Sequence, residues 1–150
     1  MLKGIDPRLN ADVLHCLHAM GHGDTIVLCD TNFPGESTAQ VTTLGHLLAM
    51  DNLTCAEAVA AILSVLPLDT FVDDFAMRME VVDDPDQVPP VMAEVQSEID
   101  KAEGKSRPLI GVERFNFYEL ARDSFAVIRT GERRFYGNVI LRKGVIEPDA

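Results

Sequence analysis

The 150-residue chain has no tryptophan, two tyrosines and three cysteines, and its 13 lysines and arginines face 24 aspartates and glutamates. The formal net charge of -11 has the wrong sign for unassisted binding to nucleic acid or to an anionic membrane. Both need surplus Lys and Arg over the contact face. Cys16, Cys29 and Cys55 are odd in number and lack CxxC spacing, so they read as buried free thiols in a reducing compartment. No apolar stretch is long enough to span a bilayer, and Met1 to Leu9 contain no apolar core of a secretory leader. The cytoplasm is therefore the expected compartment. There is no GxGxxG after a strand and no P-loop, which removes support for a dinucleotide or nucleoside triphosphate, and no GxSxG hydrolase elbow. No repeat or low-complexity tract divides the chain. With 47% apolar residues, a single domain over residues 1–150 with one substantial core is expected.

What is present reads as alternating helices and strands. Asn10 is placed to cap a helix whose apolar face is Val13, Leu14, Leu17 and Met20, with Gly21 as its stop. Thr25 to Cys29 form a continuous apolar run, as in a strand covered on both faces, and Asn32 to Glu36 read as a loop. Thr54 and Glu57 make a capping-box pair before Ala58, Val59, Ile62, Leu63 and Leu66, and Pro67 ends that helix. Ala76 to Val82 read as a strand, followed by an acidic turn from Asp83 to Gln87. Pro89 or Pro90 opens a helix carrying Val91, Val95 and Ile99, closed by Gly104 to Pro108. Leu109 to Glu113 form the next strand and a short helix surrounds Tyr118 to Arg122. The strand Phe125 to Arg129, a turn at Gly131 and Glu132, and a last strand Asn138 to Arg142 complete the pattern. This order predicts an α/β fold, one layered domain with a mostly parallel sheet flanked by helices. The short connection makes an antiparallel final strand pair the expectation.

Chemistry concentrates around the first strand, which His22 precedes and Asp30 ends. In an open α/β sheet, ligands sit beyond the carboxyl ends of strands, so Asp30 occupies a ligand position, or else caps a neighbouring helix. His22 reads either as a turn histidine or as an acid/base at neutral pH. His15, His18 and His22 have spacings compatible with a metal site. However, Gly21 and Gly23 take His22 off the helix, and His15 points away from the apolar stripe. His46, between Leu44 and Leu47, reads as a core or interface histidine.

Gly21-His22-Gly23-Asp24, Asp30, Asn32-Phe33-Pro34, Pro67-Leu68-Asp69, Arg114-Phe115-Asn116-Phe117-Tyr118-Glu119, Thr130-Gly131-Glu132 and Tyr136-Gly137-Asn138 together resemble the L-fucose mutarotase and ribose pyranase family. They occur in its order and span nearly the whole chain. Gly23 and Gly137 resemble the fucose mutarotase branch, since ribose pyranases more often carry Thr and Ala there. The resemblance implies interconversion of the α and β anomers of a reducing sugar, most simply L-fucose, without a metal or organic cofactor. It implies His22 as the catalytic proton donor, with Asp69 and Tyr118 in support or relay. Asp30, Met79, Arg114, Tyr136 and Asn138 are implied as sugar-binding residues, with Met79 beside the C6 methyl group. Asp24 is expected in the helix turn or orienting His22. Ring-shaped homo-oligomers, often decamers of two pentamers with sites near subunit boundaries, are also implied. Phe33 and Phe71 would then be exposed at such an interface, and the block around Tyr136 would complete a neighbour's pocket. Asp83 to Ser106 carry no catalytic block.

Three readings compete with this one: a ribose pyranase-type mutarotase, a non-catalytic monosaccharide-binding module in which His22 and Asp30 only hold ligand, and a metal-dependent sugar isomerase.

Overall fold

The structure is a computed structural model that describes residues 1–149. Its centre is β1 (Thr25–Cys29), whose Ile26, Val27, Leu28 and Cys29 are all fully buried. Ile26 and Leu28 join one apolar cluster while Val27 and Cys29 join another on the opposite face. Burial on both faces is why the segment is apolar throughout rather than alternating.

The chain order is α1 (Ala11–Ala19), β1, α2 (Gly35–Ala39), β2 (Leu48–Met50), α3 (Cys55–Leu63), β3 (Ala76–Met79), α4 (Pro90–Glu103), β4 (Ile110–Val112), α5 (Arg114–Arg122), β5 (Ala126–Thr130) and β6 (Val139–Arg142). The strands form one six-stranded sheet in the order β2-β5-β1-β6-β3-β4. The pairs β2–β5, β5–β1 and β3–β4 are parallel, and β6 runs antiparallel to both of its neighbours, β1 and β3. The mostly parallel α/β sheet is thus as expected. The last two strands, however, do not pair with each other: β6 passes β1 and inserts on its far side.

One layer of helices, α1, α3 and α4, supplies Val13, Leu17, Val59, Ile62, Val95 and Ile99 to the larger cluster. The other layer carries Ala39 of α2 with Phe117 and Ala121 of α5. Local signals set the helix starts. The Asn10 side chain accepts from Val13 N at 2.9 Å. Thr54 and Glu57 close a reciprocal capping box worth about 1 kcal/mol. Pro90 opens α4 and Gly104, at φ 68°, ends it.

The structure departs from the sequence pattern in several places. The expected loop at Asn32 to Glu36 already contains the start of α2 at Gly35. The edge strand β2 was not anticipated, because three residues are too few to show a period. Strand β3 ends at Met79 rather than Val82, where the chain turns through Asp83 at φ 64°. Helix α5 starts at Arg114, four residues before the expected one, because the Glu113 side chain accepts from Phe115 N and Asn116 N and caps it. His46 is exposed in the single chain, not a core residue. No helix among the described residues is long and apolar enough to cross a membrane.

Where β5 ends, Gly131 crosses so close to the chain after β2 that a Cβ would run into the Asp51 carbonyl oxygen, while Gly131 N donates to Leu53 O at 2.7 Å. Neither backbone can move without breaking the sheet edge. Gly131→Ala is therefore expected to lower stability in urea unfolding by about 2–4 kcal/mol. A loss under about 0.5 kcal/mol would show that the crossing has slack.

Candidate active site

Asp30 follows the last residue of β1 and is buried to 3% relative exposure. Its Oδ1 accepts from Asn32 N and Phe33 N, both at 2.9 Å, and its Oδ2 accepts from Gly137 N at 3.2 Å. The side chain of Asn138 completes the joint, its Oδ1 accepting from Asp30 N at 2.9 Å. One carboxylate thereby ties the loop after β1 to the loop before β6. Burial pushes the Asp30 carboxyl above its ordinary value, and the donors around it offset part of that rise.

These loops frame a cavity of about 240 Å³, below the roughly 300 Å³ lower bound of drug-sized sites and of a size for a small polar ligand. Its polar wall is Asp30, Asn32 and Asn138; Met79 of β3 and Phe33 supply apolar surface. Helix α5 contributes Arg114 and Tyr118, four residues apart and so on one helical face. Arg114 Nε donates to Tyr118 Oη at 3.1 Å, and Tyr118 packs against Phe33 with ring centroids 5.5 Å apart. Tyr136 closes the rim. It adopts φ 61°, which is uncommon for a bulky residue, and its Oη accepts from Val82 N at 3.2 Å.

A second polar cluster lies at the other end of β1. His22 Nε2 and Asp69 Oδ2 are 3.1 Å apart, with the Asp69 side chain 4% exposed and the His22 side chain 45% exposed. Phe71 stands edge-on to the imidazole at 5.7 Å. Asp69 is held through its backbone: its N–H donates to Arg142 O, its carbonyl accepts from Arg107 Nη2 at 2.8 Å, and its Oδ1 accepts from Phe71 N. The His22 turn is held by Arg142 Nη1, which donates to Gly23 O at 3.1 Å. Asp24 does not orient the imidazole; its carboxylate accepts from Gly21 N at 2.7 Å and shapes the turn. Because Asp69 accepts, the neutral imidazole carries its proton on Nε2 and leaves Nδ1 as a lone-pair site.

The model of the RbsD / FucU transport protein family matches residues 3–146. The chain belongs to this family. Human fucose mutarotase is 43% identical over 148 residues, covering 97% of this chain and 94% of that one. L-fucose mutarotase of Haemophilus influenzae strain PittEE is 37% identical over 145 residues, covering 97% of each. Among solved structures, the Streptococcus pneumoniae fucose mutarotase in complex with L-fucose superposes with TM-score 0.86 at 34% identity, covering 97% of this chain and 100% of that one.

In this RbsD / FucU chain, the eight residues singled out from the sequence fall into two groups as follows. Asp30, Met79, Arg114, Tyr118, Tyr136 and Asn138 meet around one cavity, although they come from four separate stretches of sequence. His22 and Asp69 meet each other but stand apart from that cavity by the length of β1, about 17 Å at ~3.3 Å per residue. The sequence places His22 before the first strand and Asp30 at its end, but gives no sign that Asp69 joins the former and Tyr118 the latter. It also passed over Phe135, a cavity-lining ring left 75% exposed, and showed Glu132 in a turn and a block without its burial. Phe33 is half-buried against Phe117 and Tyr118 rather than exposed, whereas Phe71 is 71% exposed. His15 and His18 are exposed on α1, and among the described residues no three His, Cys, Asp or Glu side chains are grouped to hold a metal ion.

The raised Asp30 value has a defined sign in stability. A carboxyl that titrates higher folded than unfolded favours the folded state at low pH, and that contribution is lost as pH rises from the ordinary 3.8 through the folded value. In urea unfolding at a series of pH values, wild type is therefore expected to lose stability relative to Asp30→Asn as pH rises above 3.8. A relative gain over that window would place the folded-state value below the ordinary one.

Proposed function

We propose that this protein is an L-fucose mutarotase that interconverts the α and β anomers of L-fucose by acid/base ring opening and reclosure, using no metal or organic cofactor. The observation that carries this reading is the exposed His22 imidazole, anchored through Nε2 by a buried carboxylate so that Nδ1 is free for proton transfer. Its complement is a small cavity with fixed donors and acceptors for vicinal hydroxyls. The relatives named fucose mutarotase support the substrate. So does Gly137, where a Cβ would lie 2.6 Å from Glu132 Cγ, leaving no ready space for the alanine expected of a ribose pyranase.

In this mechanism one proton leaves the anomeric hydroxyl and one reaches the ring oxygen as the C1–O bond of the ring breaks. The oxygen that lost its proton becomes the aldehyde carbonyl. Rotation about C1–C2 and the same steps in reverse close the ring on the other face. Protons balance and no electrons are exchanged with a cofactor. His22, when protonated at Nδ1, donates to the ring oxygen and takes up the anomeric hydroxyl's proton in exchange, and Asp69 holds the imidazole through Nε2. Tyr118, whose oxygen already accepts from Arg114, keeps its own O–H to donate or relay. Arg114, Asp30, Tyr136 and Asn138 bind hydroxyls, while Met79 gives the C6 methyl an apolar neighbour.

The two clusters sit at opposite ends of β1, too far apart for one monosaccharide to touch both. This supports a site completed between two copies of the chain, with His22 and Asp69 of one facing the sugar cavity of the next, in a ring-shaped homo-oligomer such as a decamer. The exposed rings of Phe71 beside one cluster and of Phe115 and Phe135 beside the other supply apolar area for that contact. Free, buried thiols suit a cytoplasmic location.

Exchange NMR on L-fucose anomers tests the activity. Substoichiometric protein is expected to accelerate exchange, unchanged by EDTA and faster than for ribose or galactose. His22→Ala is expected to reduce kcat by about 10²–10⁴-fold. Anomer exchange no faster than in buffer would refute the mutarotase reading, EDTA sensitivity would revive a metal-dependent isomerase, and a fully active His22→Ala would show that another group moves the proton.

A further inference from the structure

Of the charged side chains between β5 and β6, Glu132 alone is buried, at 3% exposure. It lines no part of the sugar cavity, yet it touches everything that shapes one wall of it. Its Oε1 accepts from Arg134 N and Arg134 Nε at 3.0 and 2.9 Å, and its Oε2 accepts from Arg134 Nη2 at 3.0 Å and from Cys55 N, the first residue of α3, at 3.4 Å. Its backbone carbonyl accepts from Thr31 N, next to Asp30, at 2.9 Å. Its Cγ fills the space above Gly137, the residue between Tyr136 and Asn138 that also donates to Asp30. Arg134 in turn makes a two-pronged ion pair with Glu94 of α4, both contacts at 2.8 Å. The Glu132 carboxylate therefore clamps the 132–138 turn to α3, and through Arg134 to α4. Only with its methylene against Gly137 does the turn present Tyr136 in its left-handed conformation and Asn138 against Asp30.

We infer that Glu132 is a positioning residue for sugar binding, setting the distance between the Tyr136–Asn138 wall and Asp30 without touching the sugar. The inference rests on the mutarotase reading above. It places the effect in KM rather than kcat, because the proton-transferring His22 is at the far end of β1, on the other side of the composite site.

Saturation kinetics of L-fucose exchange on Glu132→Ala, Glu132→Gln and Gly137→Ala, with folding monitored by circular dichroism, make the test. Glu132→Ala removes both the packing on Gly137 and the partner of two backbone N–H groups, and is expected to raise KM about tenfold with kcat within about twofold. Glu132→Gln keeps the length and one acceptor oxygen, and is expected to restore most of the lost affinity, to within about threefold of wild type. Gly137→Ala, which displaces Glu132 from the other side, is expected to reproduce the KM increase. Glu94→Ala, at the exposed end of the chain of charges, is expected to leave KM within about twofold of wild type. A folded Glu132→Ala with wild-type KM and only a lower melting temperature would overturn the inference, as would a fall in kcat at unchanged KM. If Glu132→Ala does not fold, a Gly137→Ala protein with wild-type KM overturns it equally. A wild-type protein that fails to accelerate exchange removes the mutarotase reading alone; calorimetric binding of L-fucose then decides this one, with weaker binding by Gly137→Ala expected and unchanged binding contradicting it.

Discussion

Strand β6 enters the sheet antiparallel to β1, pairing Leu28 with Val139 at one end and Thr25 with Arg142 at the other. From that register follow both polar clusters. The residue before β6, Asn138, is set against Asp30, and the loop leading into it brings Tyr136 and Gly137 to the mouth of the cavity. At the opposite end, Arg142 and Lys143 bind the His22 turn and the Asp69 backbone. A parallel β6 would have reversed these assignments. The buried apolar residues of β1, Ile26, Val27, Leu28 and Cys29, lie between the two ends and keep them apart.

The cost of building polar sites on such a core is visible in how completely their groups are satisfied. Asp30, Asp69, Glu132 and Asn138 are all buried, and among the described residues no buried side-chain nitrogen or oxygen lacks a partner. Asp30 and Glu132 solve the same problem in different ways. Asp30 has no cation beside it, only backbone N–H groups and the Asn138 side chain, so burial still pushes its carboxyl upward. The Arg134 guanidinium beside Glu132 holds that carboxyl below its ordinary range. The former is an acceptor turned toward a ligand cavity, the latter a structural anchor behind it.

Much of the fold was legible because its signals are local. The Asn10 cap, the Thr54–Glu57 capping box and the Pro90 start are chemistry within four residues, and the unbroken run from Ile26 to Cys29 announces a strand buried on both faces. The errors arose where the deciding contact is distant or the element is too short to have a period. Leu48–Met50 is a strand only because β5 pairs with it. Glu113, assigned to a strand by its apolar neighbours, caps α5 instead. The site residues were found as types and blocks, but their grouping was not. The strand between His22 and Asp30 was legible, but Tyr118, grouped with His22 and Asp69 by role, lies with Asp30 at the other end. Glu132 was visible only as part of a block, since nothing in a Thr-Gly-Glu sequence says that the acid will be buried under Gly137.

On the proposed division of labour between the ends of β1, each working site draws on two chains. Its most direct measurement is complementation between a His22→Ala chain and an Arg114→Ala, Tyr118→Phe chain, each purified alone and also co-expressed so that the oligomers mix. Each variant alone is expected to be inactive in L-fucose exchange. Mixed oligomers are expected to recover activity in roughly one site in four, by random assortment of the two halves. Mixed oligomers as inactive as either parent would contradict a shared site and place the whole of the chemistry within one chain.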